Sequence, residues 1–425
     1  MALIFSIMIS ATICATKGKP LHPVVLVPGY GGSQLKGKLT GKPETVHYWC
    51  ARQTDDFFDL WLNLELFLPT VIDCWVDNMK LVYNRTTNKT SSMPGVLIEV
   101  PGFRNTSTIE WLDTSKASEG RYFTDIVEAL LPFGYHRGKN IVGAPYDWRQ
   151  APNELGHYYS NLTKLIEDTY RSCGHRKVTI IAHSMGNPLL LYFYNSIVTQ
   201  EWKDKFIHSH ISIAGAWGGA LQIIRLLASG ECVSNYCTPN LLCSDAKIAG
   251  YNMNHYRILL PPSSLREMQR SFTSSTFLFP SYNVWSENEV LATVNDRNYT
   301  LKNVEEFFKD IGYKVGWYQY QNTAHLLGDF QAPNIEVHCI YGYGIETPES
   351  FEWSSRWFPD YQPDTIYGDG DGTVNRRSLE ACKKWIGKNG GKKISLYAFK
   401  GGEHVDILAQ EKVIELIKKI VFMQS

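Results

Sequence analysis

The serine with the strongest claim to chemistry is Ser184, in Ala182-His183-Ser184-Met185-Gly186. A serine hydroxyl attacks a carbonyl poorly unless a base takes its proton and a carboxylate holds that base in place. Small residues on both sides of such a serine let the chain turn sharply enough to expose its oxygen. Gly186 fills one of these positions, and Ala182 stands at the other, where glycine is more usual. The partners should follow in the order serine, acid, histidine. The acid lies in Gly368-Asp369-Gly370-Asp371-Gly372-Thr373-Val374. Asp371, directly before Gly-Thr-Val, is preferred to Asp369. Asp-x-Asp-x-Gly also occurs in calcium loops, but the remaining ligands and closing glutamate of an EF-hand are missing here. Of the 12 histidines only His404, in Gly401-Gly402-Glu403-His404, follows Asp371, so chain order selects it as the base. His183 reads as a packing residue of the turn.

The tetrahedral intermediate of acyl transfer needs two backbone N–H donors for its oxyanion. Met185 offers one. The loop Pro28-Gly29-Tyr30-Gly31-Gly32 offers the other, through the Tyr30 N–H. This loop lacks the spacing of a dinucleotide or phosphate-binding motif, which argues against nucleotide binding. The chemistry calls for no cofactor and no metal.

These residues must be carried by strands and helices. Val24 to Val27 is a short apolar run stopped by Pro28-Gly29, as expected of a buried parallel strand. Val178 to Ala182 is a second, and Leu189 to Ile197 reads as the apolar helix after it. Ile211 to Ala214, Val337 to Tyr341 and Ile394 to Ala398 are further strands, with helical patterns at Phe123 to Leu131 and Glu154 to Tyr170. Strands alternating with helices predict a doubly wound α/β sheet. Strand, serine turn and helix in succession are the nucleophile elbow of an α/β-hydrolase fold. Two stretches break the alternation: 45–82, read as a membrane-binding insertion, and 216–328, read as a cap or lid.

The 425 residues suit one such body with insertions. Lys+Arg and Asp+Glu both total 42, so no basic face for nucleic acid is implied. Residues 1–16 read as a secretory signal peptide, cleaved between Cys14 and Lys19, leaving 17–425 as a soluble hydrolase. Export agrees with five Asn-x-Ser/Thr sequons, at Asn84, Asn88, Asn105, Asn161 and Asn298. It also agrees with the even number of cysteines, eight of the 9, that follow Cys14.

The stretches HPVVLVPG, WLNLELFLP, IDCWVDN, GAPYDWR, AHSMGN, AWGG, YTL, GDGDGTVN and GxEH carry a resemblance. From His22 onward the chain resembles the family that unites lysosomal phospholipase A2 (group XV) with lecithin–cholesterol acyltransferase, and it is nearer the lysosomal branch. The resemblance implies a triad of Ser184, Asp371 and His404, and disulfides Cys50–Cys74 and Cys339–Cys382. It implies that Trp61, Leu62, Leu64, Leu66, Phe67 and Leu68 dock on a phospholipid membrane, although from the residues alone that run suits a core. It implies a secretory-pathway phospholipase A and acyltransferase, lysosomal or secreted. Such an enzyme passes an acyl group from a glycerophospholipid to water or to a lipid alcohol such as ceramide. Sterol acylation and an inactive lipid-binding protein are the alternatives. Two features depart from the family pattern. Tyr30 stands where the family's oxyanion loop usually carries Asp or another small residue. Cys173, Cys232, Cys237 and Cys243 have no assigned partners; they could form two extra disulfides, and their spacing is irregular for zinc.

Overall fold

The computed structural model describes residues 19–68, 70–116, 120–230 and 262–423, with two-residue strands at 15–16, 247–248 and 251–252. The expected signal peptide falls almost wholly outside the described residues, as do Cys232, Cys237 and Cys243.

A six-stranded sheet forms the centre. Its strands are β1 (Val24–Val27), β2 (Ile141–Gly143), β3 (Val178–His183), β4 (Ile207–Ile213), β5 (Glu336–Tyr343) and β6 (Ile394–Lys400). All neighbours pair in parallel, in the order β6-β5-β4-β3-β1-β2. Every residue of β1 and β3 is buried, so neither strand alternates between a buried and an exposed face. The chain leaves β1 towards one edge and β3 towards the other. Strand order therefore reverses between β1 and β3, and a crevice opens at their carboxyl ends. The Pro28 to Gly32 loop follows β1 and Ser184 follows β3, so both sides of the crevice are already built of candidate site residues.

Helices flank the sheet: α1 (Thr124–Leu130), α2 (Gly156–Ser172), α3 (Gly186–Tyr192) and, later, α5 (Glu411–Met423), while α4 (Gln222–Ser229) lines the pocket at Ser184. Helix α2 buries Tyr158, Leu162, Leu165, Ile166 and Thr169, three and four residues apart, as one inward stripe. Outside the sheet, Phe58–Trp61, Leu35–Leu39 and Val96–Glu99 form a three-stranded antiparallel sheet. A second outlying sheet contains the long antiparallel pair Ile345–Trp353 and Asp364–Gly370. This pair continues from β5 and ends beside the crevice, which is how the Gly368 to Val374 segment reaches it. Among the described residues no helix is long and apolar enough to cross a membrane.

Both expected disulfides are present, Cys50–Cys74 and Cys339–Cys382. Cys173 is also disulfide-bonded. The five sequon asparagines are all exposed.

The structure corrects the reading of the Trp61 to Leu68 run. Trp61, Leu62 and Phe67 are 1%, 3% and 0% exposed and belong to the core. The reason is local. Trp61 Nε1 donates to the carbonyl of Gly31 at 2.7 Å, and its ring packs against Phe67, Trp75 and Trp148. The run is thus a wall behind the Pro28 to Gly32 loop. Leu66 is half-buried, and Leu68 is 55% exposed. The Leu64 side chain lies outside the described residues.

Candidate active site

The elbow at Ser184 is a backbone feature first. Ser184 has φ +51°, a conformation that non-glycine residues seldom adopt, and its N–H donates to the carbonyl of Ile213 at 3.0 Å. Asn187 clamps the turn from below: its amide donates to the carbonyls of Ser184 and Ile213 at 3.1 and 3.2 Å. Its oxygen accepts from His210 at 2.9 Å. Gly186 allows no substitute, since a Cβ there would lie 2.4 Å from the carbonyl oxygen of Pro28. Gly29 is bound by the same crowding, because its Cβ would sit 2.7 Å from the Ser184 Cβ. Loop and elbow therefore touch, which the sequence could not show.

His404 Nε2 lies 2.9 Å from Ser184 Oγ, and His404 Nδ1 lies 2.6 Å from Asp371 Oδ2. Ser184, His404 and Asp371 are 8%, 4% and 0% exposed. Asp371 is held on its other oxygen by the N–H groups of Thr373 and Val374, at 3.1 and 2.7 Å. Its backbone carbonyl accepts from the His404 N–H at 3.0 Å. A carboxylate fixed in this way accepts a hydrogen bond from the Nδ1–H of the imidazole and leaves Nε2 directed at the serine. Asp369 faces elsewhere: it accepts from the Gly344 N–H at 2.6 Å and pairs with Arg376 at 2.8 Å. It fastens the turn that carries Asp371.

Tyr30 and Ser184 line one pocket with Ile223, Leu226 and Leu278. The Tyr30 ring packs edge-on against Trp148, with ring centres 5.0 Å apart. Met185 opens helix α3, so its amide stands at the positive end of a helix beside the serine. The pocket wall is apolar, and 216–230 supplies much of it. Such a pocket accepts an aliphatic chain next to a reacting carbonyl. Among the described residues no three His, Cys, Asp or Glu side chains cluster as metal ligands would.

Sequence reasoning passed over Tyr122, and it saw His183 only as packing. Tyr122 accepts from the Gly29 N–H at 2.9 Å and lies 2.6 Å from His183 Nδ1. His183 Nε2 lies 2.8 Å from the carbonyl oxygen of His404. Nothing in the residues around Tyr122 announces this; the contact spans 61 positions.

The comparisons with known proteins agree with one another. The family model of Lecithin:cholesterol acyltransferase matches residues 57–411. The chain is 43% identical to "Lysosomal phospholipase A and acyltransferase" of Mus musculus over 94% of its length and 90% of that protein. It is 42% identical to the Homo sapiens protein of the same name, again over 94% and 90%. It is 39% identical to "Phosphatidylcholine-sterol acyltransferase" of Gallus gallus over 93% of its length and 89% of that protein.

Proposed function

The chain belongs to the lecithin:cholesterol acyltransferase family, and we propose that it is a serine phospholipase A and acyltransferase of the secretory pathway, lysosomal or secreted. The observation that carries this reading is the hydrogen-bonded series Ser184–His404–Asp371 at the mouth of an apolar pocket. In the first step Ser184 Oγ attacks an acyl carbonyl of a glycerophospholipid and its proton passes to His404 Nε2. The oxyanion is held by the N–H groups of Tyr30 and Met185. The lysophospholipid leaves with the proton from His404, and an acyl-enzyme remains. Water, or a lipid alcohol such as ceramide, then gives its proton to His404 and takes the acyl group. A fatty acid or an acylated alcohol is released and Ser184 is restored.

The enzyme works at a membrane surface in this reading, and 45–82 is the lipid-facing insertion, with 216–328 as the cap. The contact is carried by residues that are exposed. Val46, Tyr48 and Trp49, just before Cys50 in the chain, are 51%, 94% and 52% exposed, and Leu68 is 55% exposed. Trp49 Nε1 donates to the carbonyl of Thr70 at 2.9 Å, which joins the two parts of the patch. Tryptophan and tyrosine suit the boundary between headgroups and acyl chains.

Product analysis on phospholipid liposomes containing ceramide, cholesterol or neither tests this function. Free fatty acid together with acylceramide is expected. Cholesteryl ester as the main product would move the chain to the sterol-acylating alternative. No acyl product with any liposome, and no labelling by a fluorophosphonate, would leave a lipid-binding protein.

A further inference from the structure

A buried strap of hydrogen bonds crosses the active site without touching the reacting atoms. It starts at the Gly29 N–H, passes through the Tyr122 hydroxyl and the His183 ring, and ends on the His404 carbonyl. Tyr122 and His183 are each 2% exposed. The geometry dictates where the protons sit. A carbonyl oxygen only accepts, so His183 Nε2 carries the hydrogen. In a neutral ring Nδ1 then accepts, so the Tyr122 hydroxyl donates to it and its oxygen accepts from Gly29. A second proton on His183 would turn two N–H donors onto the one hydroxyl oxygen. Burial, and next the charge of the neighbouring His404, hold the His183 pKa well below 6.5. The two rings are 5.0 Å apart, so His183 stays neutral beside a base that becomes charged in each turnover.

The strap matters because of what it joins. The Gly29–Tyr30 loop leaves β1, whereas His404 follows β6 at the far edge of the sheet, with β3, β4 and β5 between them. No sheet hydrogen bond relates the two. We propose that Tyr122 and His183 are positioning residues, which set the spacing between the loop that holds the oxyanion and the backbone from which His404 works. The inference rests on the acyl-transfer reading above. It deepens that reading by assigning transition-state geometry to two side chains outside the Ser184–His404–Asp371 series. A displacement near 1 Å in such a site costs about 100-fold in rate.

The test uses the full-length protein on phospholipid liposomes, with active sites counted by fluorophosphonate titration. Tyr122→Phe keeps the ring and removes the hydroxyl. Its kcat per titrated site is expected to fall about 10- to 100-fold with KM little changed. His183→Gln should lose a similar factor, and the double variant should be no worse than the more damaged single, as members of one strap are not additive. A Tyr122→Phe kcat within about twofold of wild type, or losses that multiply in the double variant, would overturn the proposal. NMR of the wild-type protein labelled with 15N-histidine supplies a measurement that needs no variant: His183 is expected as the neutral Nε2–H tautomer, and the Nδ1–H tautomer would contradict the strap. Wild-type protein that neither labels nor turns over would defeat the acyl-transfer reading itself, whatever the state of His183.

Discussion

The elbow at Ser184 and the aromatic wall at Trp61 press on the same loop from two sides, by different physics. The elbow is held by backbone: a positive φ at Ser184, a glycine at 186 whose added Cβ would lie 2.4 Å from the Pro28 carbonyl oxygen, and carbonyls gathered by Asn187. The wall is held mainly by surface: Trp61, Phe67, Trp75 and Trp148 bury their rings against one another, and each indole N–H is tied to a carbonyl, Trp61 to Gly31, Trp75 to Leu60 and Trp148 to Ser33. Constraint of the first kind is lost atom by atom. The second kind is shared among many contacts and shows itself as stability. Substitutions in the two regions should therefore fail in different ways.

The largest effect should come from the elbow's chemistry. Ser184→Ala is expected to lower phospholipid turnover by about 10⁴-fold or more while the thermal midpoint stays close to wild type. Retained turnover would break the contrast at its root. Trp61→Ala should do the opposite and cost about 3–5 kcal/mol of stability, read from denaturant unfolding. Any activity loss per folded molecule should then arise only through the Gly31 contact. If Trp61→Ala leaves stability unchanged and instead abolishes liposome binding, the wall is a docking surface after all. Leu68→Ser with Tyr48→Ser should weaken liposome sedimentation and move stability by no more than about 0.5 kcal/mol, as exposed positions do; unchanged sedimentation would place the lipid contact elsewhere.

A smaller effect distinguishes the regions by pH. Burial lowers His183 well below 6.5, and it lowers His210 to about 3 and His338 to about 4. Charges on His404 and His338 add to the burial effect at His183 and His210, as does Lys393 at His338. Unfolding frees these rings to bind protons near 6.5. Their contribution to stability is thus complete above that pH and declines as pH falls towards 4. Each fully buried ring can remove up to about 1.4 kcal/mol per pH unit. Urea midpoints should drop between pH 7 and pH 5; a midpoint that rises on acidification contradicts neutral buried histidines on the sheet side.

The same contrast explains what could be read from the residues. Ser184 and His404 were legible because a strand, a small-residue turn and chain order are local or ordinal signals. The sequence narrows the acid to two aspartates two positions apart and prefers Asp371, and the turn geometry shows why: Asp371 folds inward onto Thr373 and Val374, Asp369 outward onto Arg376. For the Trp61 to Leu68 run the residues alone suit a core and the resemblance points to lipid; burial of Trp61, Leu62 and Phe67 favours the first, though an apolar run itself carries no mark of whether it meets lipid or protein. That depends on Gly31 and Trp148, which are distant in sequence. Tyr122 was invisible for the same reason.

The central claim is the series Ser184–His404–Asp371, and labelling kinetics test it most directly. A fluorophosphonate followed by peptide mapping should place one label per chain on Ser184. Its rate should be slowed by about 10⁴-fold in Asp371→Asn and changed by no more than about fivefold in Asp369→Asn. A label on another residue, or a reaction that depends on Asp369 and is indifferent to Asp371, would contradict the account.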